Sequence, residues 1–252
     1  MALHRKPRKI PLVRRKILNL PSVDLPITPL TKEDVDRDIG RRLSHINREF
    51  QIGFNFIKKY PQSVTFFGSA RLKENSSYYQ QAKELGKALS VKGYTVITGG
   101  GPGVMEAANR GAEENHGESL GLAIRLPDEQ VTNPYLSDFR EFHYFFTRKV
   151  CLTFSAEAYV YFPGGYGTLD EFFEILTLVQ TKKIHKVPII LFGSDFWKPI
   201  CDMFEEHLLE KFDTISPPDI KLYHITDSIA DAVNIIKQAP IRNDYDAAYS
   251  ED

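Results

Sequence analysis

"YTVITGGGPGVMEAANRGAEEN", residues 94–115, decides the fold. An apolar, β-branched run, 94–100, ends in a cluster of glycines, and the helical pattern of 103–115 begins just past them. Strand, glycine turn and helix in that order form half of a βαβ unit. The same grammar recurs on both sides. "VTFFG" (64–68) precedes a helix-like 78–93, and "SLGLAIRL" (119–126) leads into a polar loop. "FREFHYFF" (139–146) reads as a strand and 147–156 as a short helix. "AYVYFPG" (158–164) precedes a helix from Thr168 to Lys182, and "KVPIILFG" (186–193) one over 196–212. A last pair, 220–227 and 228–239, completes the series. Short apolar runs alternating with helices predict an α/β fold: a Rossmann-like, doubly wound parallel sheet with helices on both faces.

Upstream the pattern differs. Residues 1–20 are basic without an acid and read as an arm; 21–30 hold three prolines and read as a connector. From Thr31, Ile39, Leu43, Ile46, Phe50, Phe54 and Ile57 fall on one helical stripe, with Thr31 and Asp34 as a capping start. Nothing in this helical extension, 31–60, looks chemical. The expected organisation is therefore arm, extension, Rossmann-like domain over 61–240 and a polar tail over 241–252.

Composition narrows the classes. Of 252 residues, 42% are apolar and 26% charged, and the formal net charge is −1, so no global field draws nucleic acid. Only Cys151 and Cys201 are present, which predicts neither a disulfide framework nor a metal site and makes the cytoplasm the expected compartment. No apolar run approaches the roughly 18–20 residues of a membrane span. No secretory segment is expected at the N-terminus. The histidines are scattered, so neither a metal nor another cofactor is expected.

Three strand-to-helix turns carry the chemistry: "GSAR" (68–71), "GGGPGVM" (99–105) and "PGGYGT" (163–168). Glycine lets backbone N–H groups approach an oxyanion, and a helix start adds unpaired N–H groups and a positive dipole end. Gly164, Gly165, Tyr166, Gly167 and Thr168 form the expected phosphate cradle, with Thr168 capping the helix and offering its hydroxyl. No lysine follows these glycines as a P-loop requires, and the dinucleotide spacing is broken. A mononucleotide fits better than NAD. Glu171 lies in the first turn of the next helix, off the apolar face formed by Leu169, Phe172, Phe173, Leu176 and Val179. It is either a carboxylate that complements the helix dipole or one that does chemistry. Asp170 and Glu174 read as solvated. Arg148 opens a helix where a cation does not favour the dipole, which hints at another purpose. Met105 reads equally as core or as a ligand contact.

"GGGPGVMEAANRG", "FFTRK" and "PGGYGTLDE" together resemble the signature of the Lonely Guy family of nucleotide phosphoribohydrolases, long labelled possible lysine decarboxylases. The resemblance spans about residues 60–240. It implies cleavage of the N-glycosidic bond of nucleoside 5′-monophosphates, such as AMP or cytokinin nucleotides, to free base and ribose 5-phosphate. It implies Arg148 and Glu171 as the catalytic pair. Ribose and base contacts are expected from Gly68, Ser69, Gly100, Gly101, Gly103, Met105, Asn109, Gln130 and Lys149. By analogy, "FFEILTLVQ" implies a homodimer or larger homo-oligomer. The alternative is a protein that carries a nucleotide or a molybdenum-cofactor-type ligand without cleaving it. The chain differs from compact members in having "GSAR" for a glycine and two serines, Gln130 near a substrate-binding acid, and residues 1–60 as an extension.

Overall fold

The computed structural model describes residues 31–125 and 132–239. The arm, the connector, Gln130 and the tail lie outside the described residues. Helix α1 (Lys32–Ile57) is followed by β1 (Ser63–Phe67), α2 (Ser77–Ser90), β2 (Thr95–Thr98), α3 (Val104–Glu113) and β3 (Ser119–Ile124). Then come β4 (Asp138–Phe142), α4 (Phe145–Thr153), β5 (Ala158–Tyr161), α5 (Tyr166–Gln180) and β6 (Ile189–Phe192). Helix α6 (Ser194–Met203) continues in wider turns over Phe204–Lys211, and β7 (His224–Thr226) and α7 (Ile229–Lys237) close the fold.

The seven strands form one parallel sheet in the order β4-β3-β2-β1-β5-β6-β7. Every residue of β1, β2, β3, β5 and β6 is buried, as a sheet covered on both faces requires. The two-residue period sorts side chains to opposite faces. Phe67, Ile97, Tyr159 and Tyr161 pack with Phe172 and Trp197 on one side. Val64, Phe66, Val160 and Phe162 pack with α2, α3 and α7 on the other. Strand order reverses between β1 and β5, which makes that seam the switch point, where open α/β sheets leave a crevice.

Several boundaries differ from those read in the sequence. Phe145 and Phe146 belong to α4, not to β4. β7 keeps only three residues, because Asp219–Lys221 turns in a short helix and an edge strand gains pairing from one neighbour only. Helix α5 begins at Tyr166, two residues early.

The chain divides into two compact units within α1, Met1–Arg41 and Arg42–Asp252. In the first, Thr31 and Asp34 form a reciprocal cap, with the Thr31 hydroxyl 2.7 Å from Asp34 Oδ2 and the Asp34 N–H 3.2 Å from Thr31 Oγ1. Ile39 there is exposed. In the second, Leu43 is exposed, whereas Phe50, Phe54 and Ile57 join the core. The apolar stripe is thus buried only in its C-terminal half.

Helices α2 and α3 touch backbone to backbone. A Cβ on Gly111 would sit 1.9 Å from the Lys83 carbonyl oxygen and 2.8 Å from the Lys87 nitrogen. Gly111→Ala therefore forces the helices apart and opens the core beneath them. We predict a loss of about 2–3 kcal/mol, read as a fall of about 5–10 °C in Tm. An unchanged Tm would show that this pair yields without strain.

Candidate active site

The glycine turns after β1, β2 and β5 are tied in series. The Ser69 N–H donates to the Pro163 carbonyl at 3.0 Å, and the Val104 N–H donates to the Ser69 carbonyl at 3.1 Å. Gly103 allows this approach: its φ is +72°, and a Cβ would lie 2.3 Å from Ser69 O. Around the joined turns opens a cavity of about 1020 Å³, beyond the carboxyl ends of β1, β2 and β5.

Helix α5 presents its N-terminus to this cavity. Gly165 is the cap residue and no side chain caps the helix. The first helical bond runs from the Leu169 N–H to the Gly165 carbonyl, which leaves the N–H groups of Tyr166, Gly167 and Thr168 at the positive end of a 15-residue helix. Thr168 is not the cap that the sequence suggests. It is buried in the third helical position, its hydroxyl against Gly164, where a Cβ would come within 2.1 Å of Oγ1. Around Gly165 and Gly167 the space is open, and Tyr166 is 91% exposed.

Arg148 enters from α4. Its Nε donates to the Leu122 carbonyl at 2.9 Å, and its guanidinium lies against Gly99, where a Cβ would be 2.5 Å from Nη2. Burial pulls its pKa down and the Glu171 carboxylate pulls it up. Glu171 is half-buried on α5 and lines the same cavity. Burial pushes its pKa up to about 7, with Arg148 and Lys149 opposing and Glu174 and Asp170 reinforcing. A half-buried carboxyl titrating near neutrality, beside a cation and in a cleft, is the kind of group that proton chemistry uses.

The structure brings Gly68, Ser69, Met105, Arg148, Gly164, Gly165, Tyr166, Gly167, Thr168 and Glu171 to the cavity. Other expected contacts lie elsewhere. Asn109 is fully buried: it accepts from the Thr98 hydroxyl at 2.6 Å and donates to Ser119 Oγ at 2.9 Å. Asn133 donates to it as well, at 3.0 Å, and to the Gly101 carbonyl at 3.1 Å. Asn109 thus braces the turn from beneath. Gly100, Gly101 and Gly103 shape that turn without lining the cavity. Lys149 points to α5, pairing with Asp170 at 2.9 Å and Glu174 at 3.3 Å. Asp170, still largely exposed, and the more buried Glu174 are thus paired to α4.

Gly99 and Arg71 lie in turns that the sequence singled out but were not named as contacts, and Leu72, Phe145, Phe196 and Ile200 were not pointed to; all six line the cavity. Gly99 carried a signal, as the first glycine of its run. Phe196 and Ile200 carried none, because the fold alone carries α6 to the mouth. No lysine lines the cavity among the described residues.

Residues 105–236 match the family described as "Possible lysine decarboxylase". The chain is 30% identical over 157 residues to the cytokinin riboside 5′-monophosphate phosphoribohydrolase LOG of Oryza sativa subsp. japonica. The match covers 61% of this chain and just under two thirds, 64%, of the rice protein. It is 27% identical over 160 residues to the Rhodococcoides fascians enzyme of the same printed activity, covering 61% of this chain and 79% of that one. Among solved structures, a structural-genomics target is similar with a TM-score of 0.53 at 27% identity, over 70% of this chain and 99% of the other. The molybdenum cofactor carrier protein of Chlamydomonas reinhardtii shares the fold, with a TM-score of 0.52 at 24% identity over 70% of this chain and 96% of that one. With more than half of its length matched and the glycine turns assembled around one cavity, this chain belongs to the possible lysine decarboxylase family, the LOG family.

Proposed function

We propose that this protein hydrolyses the N-glycosidic bond of nucleoside 5′-monophosphates to a free base and ribose 5-phosphate. One observation carries the proposal: an uncapped helix N-terminus, a half-buried arginine and a carboxyl titrating near neutrality face one cavity. The first would hold the 5′-phosphate through the Tyr166, Gly167 and Thr168 N–H groups. The ribose then lies toward Glu171. As the C1′–N bond breaks, its electron pair leaves with the base and positive charge develops on the ribosyl ring. The Glu171 carboxylate stabilises that charge and takes a proton from the water whose oxygen bonds to C1′; that proton then passes to the departing base nitrogen, which returns Glu171 to its carboxylate form. Arg148 fixes substrate oxygens and keeps Glu171 more ionised than burial alone would.

The family's printed description implies a different chemistry, which the residues do not support. Amino-acid decarboxylation on pyridoxal phosphate requires a Schiff-base lysine, and none lines the cavity among the described residues.

The deciding experiment is a chromatographic product assay over a panel of 5′-monophosphates, with the matching nucleosides as controls. Release of base from the monophosphates and not from the nucleosides is expected. Tight binding without turnover across the panel would replace hydrolysis by a carrier role. The active form being the carboxylate, kcat/KM rises tenfold per pH unit below about 7 and levels above it.

The same proposal includes a homo-oligomer, which the resemblance of "FFEILTLVQ" to the family implies. Sedimentation equilibrium showing a monomer at micromolar concentration would remove that part. A cytoplasmic setting is supported by Cys151 and Cys201, both buried and free. Among the described residues no helix is long and apolar enough to cross a membrane.

A further inference from the structure

Helix α1 has no residue in the cavity, yet it closes the helix that supplies Arg148. The Glu49 carboxylate accepts from the His143 N–H at 2.7 Å and from the Tyr144 N–H at 3.3 Å. The Thr147 hydroxyl lies 2.5 Å from its Oε2. His143 and Tyr144 lead into α4 and Thr147 lies in its first turn, and the helix's own cap residue, Tyr144, offers no side-chain bond. A carboxylate there takes the N–H of the cap residue and the N–H just before it, and it complements the positive dipole end. It also offsets the unfavourable placement of Arg148 in an opening turn. The docking around it is tight. A Cβ on Gly53, one turn further along α1, would sit 2.4 Å from Cys151 Sγ of α4. Phe50 and Phe54 meet Phe146 and Phe154 at the two ends of α4, with ring centroids 6.5 and 5.8 Å apart.

We propose that Glu49 is a positioning residue for Arg148: from α1 it closes the N-terminal turn of α4 and so fixes where that helix delivers the guanidinium. This rests on the assignment of Arg148 and Glu171 above, and it makes the helix that reads as chemically silent part of the active-site frame. Thr147, buried and held by Glu49, immediately precedes Arg148. A slackened turn therefore moves Arg148 first. The charges around Glu171 are Arg148 and Lys149 from α4, and Asp170 and Glu174 from α5. Glu49 is not one of them. If Arg148 withdraws, Glu171 loses an opposing cation and titrates higher. Mere loss of a negative charge at position 49 would move it lower, so the sign separates the two causes.

The test compares wild type with Glu49→Ala and Glu49→Gln in the full chain, with Ile46→Ala as a control that trims the same helix without touching these contacts. Glu49→Ala is expected to lower kcat by about 10–100-fold with KM changed less than about threefold. Its acid limb in kcat/KM should move above the wild-type position near pH 7. Glu49→Gln, which keeps one acceptor oxygen, should fall between and covers the case in which the alanine variant does not fold. An unmoved limb and rate, or the same shift from Ile46→Ala, would overturn the proposal. If wild type cleaves no nucleotide, the assignment of function fails instead. Glu171 is then titrated by carbon-13 NMR in wild type and Glu49→Gln, and an upward displacement sustains the positioning role while an unmoved resonance ends it.

Discussion

Glu171→Gln is expected to lower kcat toward AMP by about 1,000-fold or more, with KM changed less than about threefold. The amide keeps the size and the hydrogen-bonding reach of the side chain but cannot carry the charge that balances a ribosyl cation, nor accept a proton from water. A residue that acts only in the transition state lowers kcat and kcat/KM together. The same substitution should raise stability at pH 8. Burial lifts the Glu171 pKa from 4.5 to about 7, so the folded protein holds a proton that the unfolded chain has released. Below pH 4.5 both states are protonated and nothing is lost. Between pH 4.5 and about 7 the unfolded chain has released the proton that the folded state still holds, so stability falls across that window, by about 3 kcal/mol in all, and is level above it. Urea denaturation at pH 4 and pH 8 reads this directly. Glu171→Gln should be the more stable protein at pH 8 and equal to wild type at pH 4. A variant that keeps its turnover, or loses stability at pH 8, would remove Glu171 from this role.

Arg148→Ala should lower kcat/KM by about 100–1,000-fold, and Arg148→Lys should recover little of it. The guanidinium is held by two features that suit a planar fork: the Leu122 carbonyl at 2.9 Å from Nε, and the flat space over Gly99. An ammonium can take one of these directions but not present the second face to the substrate. Arg148 also restrains Glu171, so its removal should carry the acid limb of the rate profile above pH 7. The shift should share the sign of that expected for Glu49→Ala and exceed it, since one substitution deletes the charge and the other displaces it. Near-wild-type rates in Arg148→Lys would show that charge alone suffices.

How far these groups were legible from the chain follows from what fixes each. "YTVITGG" and "AYVYFPG" announced buried parallel strands because both faces of the sheet are covered. The cradle at 163–168 announced itself because helix starts and glycine conformations are local. Even here Thr168 was misread, since the helix opens at Tyr166 once Gly165 can act as its cap. Lys149 looked like a ligand contact because it neighbours Arg148. One residue along a helix turns a side chain by about 100°, which aims Lys149 at Asp170 and Glu174 instead. Asn109 likewise has a functional neighbourhood in sequence and a structural one in space.

The amino-acid sequence by itself determined the layers and the three glycine turns, since periodicity and turn chemistry act over a few positions; it left Glu171 open between a helix-end acid and a chemical group until the family resemblance paired it with Arg148. Tertiary structure alone decided that Glu171 is buried enough to titrate near neutrality, that Gly99 makes room for Arg148, and that Glu49 reaches across to cap α4. Desolvation depends on every atom packed around a carboxyl, and Glu49 meets its partners from 94 to 98 residues away; no local pattern carries information over that distance.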